Sequence, residues 1–150
     1  MPVELNAKIS LQRVMNAVAV GTTVQNGEAV DLAGYEGVLF VVAMGTITDG
    51  TPKIKAQQDV VVGMGGAADL ANTGITLAAT DDNKLVALDI KRPLERFVRC
   101  VVDRSVGAPA TGSVIDSVVA IRYGADVHPT VHDADVAGSE THYQPAEGTA

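Results

Sequence analysis

The amino-acid sequence predicts an all-β fold, a single antiparallel β-sandwich of jelly-roll-like form with extended N- and C-terminal arms. Three observations carry this prediction. Apolar residues come in short β-branched runs, Gly, Pro, Asn and Asp punctuate them, and no amphipathic helical stretch appears after Thr22. The 150 residues suit one domain, and an apolar content of 47% is enough for a real core. The reading divides the chain into an N-terminal arm (1–13), a β-sandwich domain (14–123) and an acidic, His-containing C-terminal tail (124–150).

The opening stretch supports two periodicities. Leu11, Val14, Met15 and Val18 have helical spacing, while Val14, Val18 and Val20 also share one face of a strand. It is read as an arm leading into a first strand. Asn26-Gly27 is a turn dipeptide, because both residues tolerate positive φ. The continuous apolar run from Gly37 to Met44 predicts a central strand buried on both faces, with Val41 at its middle.

Asp49-Gly50 and Pro52 mark the next turn, and Lys53 to Gln57 alternates as a half-exposed strand should. Gly63-Met64-Gly65-Gly66 reads as a loop. Further strands are expected over 85–90, 97–102 and 114–123, with a turn-rich segment from Ser105 to Ser113. From Gly124 the composition changes. The last 27 residues carry five acidic side chains, all three histidines and no Lys or Arg. Such a segment buries too little apolar surface to offset its own ordering entropy, so it is expected to be held by something outside its own core, most simply a neighbouring subunit.

Composition also excludes function classes. Aromatics are 3% and Trp is absent, which leaves no platform for stacking bases or sugar rings. A net charge of −7 opposes phosphate binding, and the sequence-local basic residues Lys91, Arg92, Arg96, Arg99 and Arg104 are diluted by Glu95 and Asp103. They are read as a solvated face, and nucleic acid is not expected as a partner. Cys100 is the single cysteine, flanked by Val98, Val101 and Val102, and is expected to behave as a buried small hydrophobe. No secretory leader pattern and no apolar run near the ~18 residues of a membrane span is seen, so a soluble chain made in a cytoplasm, without membrane contact, is expected.

Motifs that carry chemistry are scarce. His128 and His132, with Asp126, Asp133 and Asp135 near them and His142 further on, invite a metal site, but Pro129 prevents the first two from sharing a helical face. The 63–66 glycines lack the Lys-Ser/Thr ending of a phosphate loop. Ser139 lacks the strand-to-helix setting of a nucleophile elbow, and Asp81-Asp82 lie in a turn-like segment where both carboxylates are expected to be solvated. No catalytic, cofactor-binding or metal-ligating residue is therefore assigned, no cofactor is expected, and the chain is read as a non-enzyme.

One longer pattern is familiar. Ala29-Val30-Asp31-Leu32-Ala33-Gly34-Tyr35-Glu36-Gly37 leading into Val38 to Val42, then Gly45 to Gly50 and Ile54 to Gln57, resembles a group of small structural proteins of tailed bacteriophages. Lys91 to Arg99 is similar to that group's "Lys-Arg-Tyr-Val-Arg" strand, and Val118 to Ile121 with His128-Pro129 matches its closing strand. The match spans roughly residues 14 to 129, and the tail beyond Pro129 exceeds the group's usual ending.

The resemblance implies a virion structural protein, a capsid decoration (cement) protein on the outer head surface, made in the host cytoplasm. Its implied partners are the major capsid protein and other copies of itself, with a trimer suiting a capsid lattice. A head–tail connector or tail component is the alternative within the virion. From another class, a carbohydrate-binding adhesion module is the rival, disfavoured by the shortage of aromatics.

Overall fold

The computed structural model describes residues 4–149. Eleven strands follow in chain order: β1 (Ser10–Met15), β2 (Val18–Gly21), β3 (Val24–Asn26), β4 (Val30–Asp31), β5 (Gly37–Ile47), β6 (Lys53–Asp59), β7 (Ala68–Asp69), β8 (Ile75–Thr76), β9 (Leu85–Lys91), β10 (Phe97–Asp103) and β11 (Ser113–Tyr123). One sheet runs β1-β11-β5-β9, with β2 beside β11. The other runs β3-β10-β6-β7, with β4 beside β10 and β8 beside β6. Every pairing is antiparallel. The two sheets pack face to face, so the all-β sandwich is observed. Among the described residues no helix is long and apolar enough to cross a membrane.

The core lies between the sheets and is built by period-2 alternation. Val38, Phe40, Val42 and Met44 of β5 meet Val118 and Ala120 of β11 and Val86, Leu88 and Ile90 of β9. Opposite them stand Ile54 and Ala56 of β6 with Val98, Cys100 and Val102 of β10. The expectation that β5 is buried on both faces is corrected by this alternation. Its even-numbered residues from Val38 to Met44 are at most 1% exposed. Leu39, Val41 and Ala43 are only half-buried on the outer face, because one face of the sheet is left without a covering layer.

Two readings of the N-terminal part also differ. The arm expected over 1–13 ends earlier: Leu5–Ala7 forms a 3-10 turn and β1 already begins at Ser10. The inward positions of β1 before Val14 are Ser10 and Gln12, at 0% and 9% exposure, so a polar pattern hides a buried strand. Asn26-Gly27 is no hairpin turn. β3 and β4 lie consecutively along β10, and Gly27 donates its N–H to Cys100 O at 2.8 Å in the kink between them. A Cβ at Gly27 would stand 2.9 Å from that carbonyl, which is why a glycine sits there.

The tail after Tyr123 lies along the outer edge of β1 in the same chain. Thr130 N donates to Ala7 O (2.9 Å) and Asp133 N to Leu11 O (3.0 Å), and Thr130 Oγ1 donates to Ile9 O. In the other direction Leu11 N donates to His132 Nδ1 (3.0 Å) and Arg13 N to Asp135 Oδ2 (2.9 Å). Side chains thus stand in for a missing strand, and hydrogen bonds do the holding, since no residue from 124 to 149 is buried.

Candidate interaction surface

At the end of the second sheet where β6 stops and β10 starts, Phe97 pairs with Asp59 and Val98 with Gln58. Two loops leave from this point. Gln58 Oε1 accepts the N–H groups of Leu94 (3.2 Å) and Glu95 (3.3 Å), which ties the β9–β10 loop to β6. Asp59 does the same for the loop that follows it. Its carboxylate, 4% exposed, accepts from Val61 N at 3.2 Å and Gly66 N at 2.8 Å, so both ends of the loop hang on one side chain. Burial pushes the Asp59 carboxyl up, but the N–H donors of Gly66, Val61 and Val60, with Arg99 nearby, outweigh it and leave it below the usual carboxylate range.

The loop is further closed by Met64. Its side chain is buried, its φ is +53°, and its N–H donates to Val61 O at 3.1 Å. What this frame displays is apolar. Val60, Val61 and Val62 are 66%, 52% and 65% exposed, and Leu94 on the adjoining loop is 94% exposed. A chain that exposes consecutive valines normally does so on a floppy segment. Here they sit on a braced loop, which is the form a protein-binding surface takes when its ordering cost has been met in advance.

Leu94 also rims an open groove of about 670 Å³ between the ends of the two sheets, lined by Leu32, Tyr35, Glu36, Arg92 and Arg96 among others. Its basic side chains are already paired. Arg96 makes two hydrogen bonds to Asp31, at 2.8 and 2.7 Å, and holds that carboxyl below its usual range against the opposing effect of burial. Glu36 faces Lys91 at 3.4 Å and Arg92 at 2.9 Å, and the Lys91 charge foremost keeps it ionised. The Arg122 guanidinium lies over the Tyr35 ring at 4.6 Å. The basic side chains of the groove are therefore already engaged within the chain.

The residues singled out from sequence are dispersed. Lys91, Arg92 and Arg96 are in the ion pairs just described, and Arg99 Nε donates to Gln57 Oε1 at 2.8 Å. Arg104 is buried at the opposite end of the sandwich. Cys100 is fully buried and its thiol is pushed up to about 12 by that burial. The three histidines go separate ways: His132 to Leu11 N and Asn6, His128 to Ala7 O at 3.3 Å, and His142 to Glu140 at 2.8 Å. Among the described residues no three metal-ligating side chains converge.

Ser139 Oγ accepts from Asn6 Nδ2 at 3.3 Å. Asp81 and Asp82 are not simply solvated, which corrects the expectation for them. Asp81 accepts from Ala78 N at 2.9 Å, and Asp82 accepts from Ile47 N, fastening this turn to β5. Asp59 was missed from sequence because its one signal is an acidic residue at a strand end. Its importance comes from backbone donors that only the closed loop brings to it.

No protein-family model and no curated protein matches this chain. Among solved structures, a chain from the Bacillus endospore appendages, described as a novel family of disulfide-linked pili, is similar at 16% identity and a TM-score of 0.45. The alignment covers 77% of this chain and 88% of that one. A likeness of that size says nothing of what this chain does.

Proposed function

We propose that the chain is a virion structural protein, a capsid decoration (cement) protein that docks on the outer head surface through the Val60–Val62 loop and Leu94. The observation that supports this reading best is the bracing of that loop by Asp59 and Met64, which holds exposed valines in one arrangement. Burying them against the major capsid protein gains apolar contact without a new ordering cost. The net charge of −7 suits an outward-facing position away from packaged nucleic acid. Copies arrayed over a shell make modest contacts collectively strong.

The test is binding of the purified chain to expanded heads, to precursor heads and to tails. Binding to expanded heads alone, weakened roughly tenfold or more by Val60→Asp with Val62→Asp while the melting temperature holds, is the expected result. Binding to tails in place of heads would move the chain to the connector, and no binding to any particle would overturn the virion reading.

A further inference from the structure

The two edges of the first sheet are treated differently by the chain. Along β1 the C-terminal tail supplies acceptors and donors to Ala7, Ile9, Leu11 and Arg13. In the second sheet the outermost strands are two or three residues long, too short to template a partner. Along β9, by contrast, no described residue follows.

The direction of its free groups can be read from the ladder. Arg92 N donates to Glu36 O at 2.8 Å and Met44 N donates to Lys84 O at 3.1 Å, so the even-numbered residues of this stretch turn their backbone groups towards β5. In an antiparallel sheet alternate residues point opposite ways. Leu85, Ala87, Asp89 and Lys91 therefore aim their N–H and C=O groups outward from the sheet.

Nothing on β9 blunts this edge. It contains no proline, and its register with β5 runs unbroken from Gly37↔Lys91 to Ala43↔Leu85. Its two charged side chains are drawn back across its own sheet, Asp89 to Tyr123 at 2.6 Å and Lys91 to Glu36 at 3.4 Å. Its inward residues Val86, Leu88 and Ile90 each keep 8% exposure, whereas Val38, Phe40 and Val42 of the neighbouring strand keep none. The core is left slightly open along this side.

We propose that β9 pairs antiparallel with β9 of a second copy, joining the two first sheets into one continuous sheet across a two-fold axis. The occupant follows from what a second copy can offer. Its β1 is covered by its own tail, so the long edge it has free among the described residues is again β9. The strand is self-complementary about Leu88. In that register Leu85 faces Lys91 and Ala87 faces Asp89, all residues with outward backbone groups, while Val86 meets Ile90 and Leu88 meets its counterpart on the core side. The contact is isologous and closes at two copies. The two Asp89 carboxylates come to stand diagonally, each hydrogen-bonded by its own Tyr123, so association strengthens as salt rises.

Sedimentation equilibrium of the purified full chain tests this without any particle, so it stands or falls apart from the virion reading. A reversible monomer–dimer equilibrium is expected. Ala87 is exposed and faces Asp89 of the other copy, so Ala87→Lys should tighten the dimer roughly tenfold and Ala87→Glu weaken it by a similar factor. Ala87→Pro removes an N–H that the monomer does not use, and should give a monomer with an unchanged melt. A chain that stays monomeric up to about 1 mM, or a dimer indifferent to the sign of the charge at position 87, overturns the proposal.

Discussion

Tyr123 of β11 donates its hydroxyl to Asp89 of β9 at 2.6 Å, reaching across the intervening strand over Gly37. The glycine is what makes the reach possible. A Cβ there would stand 2.5 Å from the Tyr123 hydroxyl oxygen and 2.7 Å from the carbonyl of Ile90, and the second of these is backbone that cannot turn aside. Gly37→Ala should therefore cost about 1–3 kcal/mol by overpacking, and Tyr123→Phe only about 0.5–1.5 kcal/mol for one lost hydrogen bond. Urea denaturation of both variants checks the order, and an alanine as mild as the phenylalanine would mean that the ring has room elsewhere.

The same contact sets an alkaline limit. Burial, then the Asp89 hydrogen bond and the charges of Asp89 and Glu36, push the Tyr123 phenol up to about 12. A group whose folded value lies above its unfolded one adds stability in full below the unfolded value, about 10 for tyrosine, and loses it as pH rises towards the folded value. Between about pH 10 and pH 12 the wild type should lose stability more steeply than Tyr123→Phe. Parallel curves for the two proteins would remove Tyr123 from the account.

Asp59 gives the opposite sign at the acid end. Its folded carboxyl lies below the usual range, so its contribution is present above the unfolded value near 4 and disappears as pH falls through the folded one. Protection factors of the Val61 and Gly66 amides, taken against the intrinsic exchange rate at each pH, should fall in acid, as the braced loop loses its anchor. In Asp59→Asn those amides should have low protection factors at every pH, with no acid step of their own. High protection factors that do not change with pH in the wild type would show that Met64 alone closes the loop.

Arg104 joins the sheets with no carboxylate partner among the described residues. Its guanidinium, on a residue 3% exposed, donates to the carbonyls of Ala19 (2.8 Å), Ser113 (2.7 Å) and Thr23 (3.1 Å), and burial lowers its affinity for the proton. Arg104→Met keeps much of the volume but orphans those carbonyls, and should cost about 2–4 kcal/mol. Thermal or denaturant unfolding measures it directly. A neutral result would mean that water replaces the guanidinium at no cost.

Legibility from sequence followed the physics of each element. β5, β9, β10 and β11 were readable because apolar runs rich in β-branched residues are written in their own sequence, and their ends were placed within a few positions. β1 was hidden by Ser10 and Gln12; the burial of Ser10 is made tolerable by partners far along the chain, since its Oγ donates to Val131 O and accepts from Arg122. Asn26-Gly27 misled because a glycine needed for close approach looks the same as a glycine needed for a turn. Of the valine loop only Gly63 to Gly66 read as a loop, and Val60 to Val62 carried no signal of their own. Its rigidity depends on Asp59, and that dependence is a tertiary fact.

The tail is the element whose role changed most, and truncation tests its new one. Removing residues 125–150 strips the acceptors from Leu11 N and Arg13 N and leaves Ser10 Oγ without Val131 O, so β1 becomes a second open edge. A lower melting temperature and concentration-dependent aggregation are expected, together with fast exchange at the Leu11 and Arg13 amides. His132→Ala alone should expose only Leu11, because Arg13 relies on Asp135. If the truncated chain kept both amides protected, the tail would be lying on β1 without holding it.

The parity of β5 provides the sharpest contrast between neighbours. Val42 points into the core at 0% exposure, while Val41 is half-buried on the outer face of the same strand. A charge at position 42 has no water and no partner, and the cost of burying it exceeds the whole stability of an ordinary domain. At position 41 a carboxylate can turn towards solvent and costs only lost packing, on the order of 1–2 kcal/mol. Val42→Asp should give unfolded or insoluble protein, and Val41→Asp a soluble one that melts cooperatively at lower temperature. Circular dichroism melts of the pair read the register of the central strand, and a reversal would mean that it is shifted by one residue.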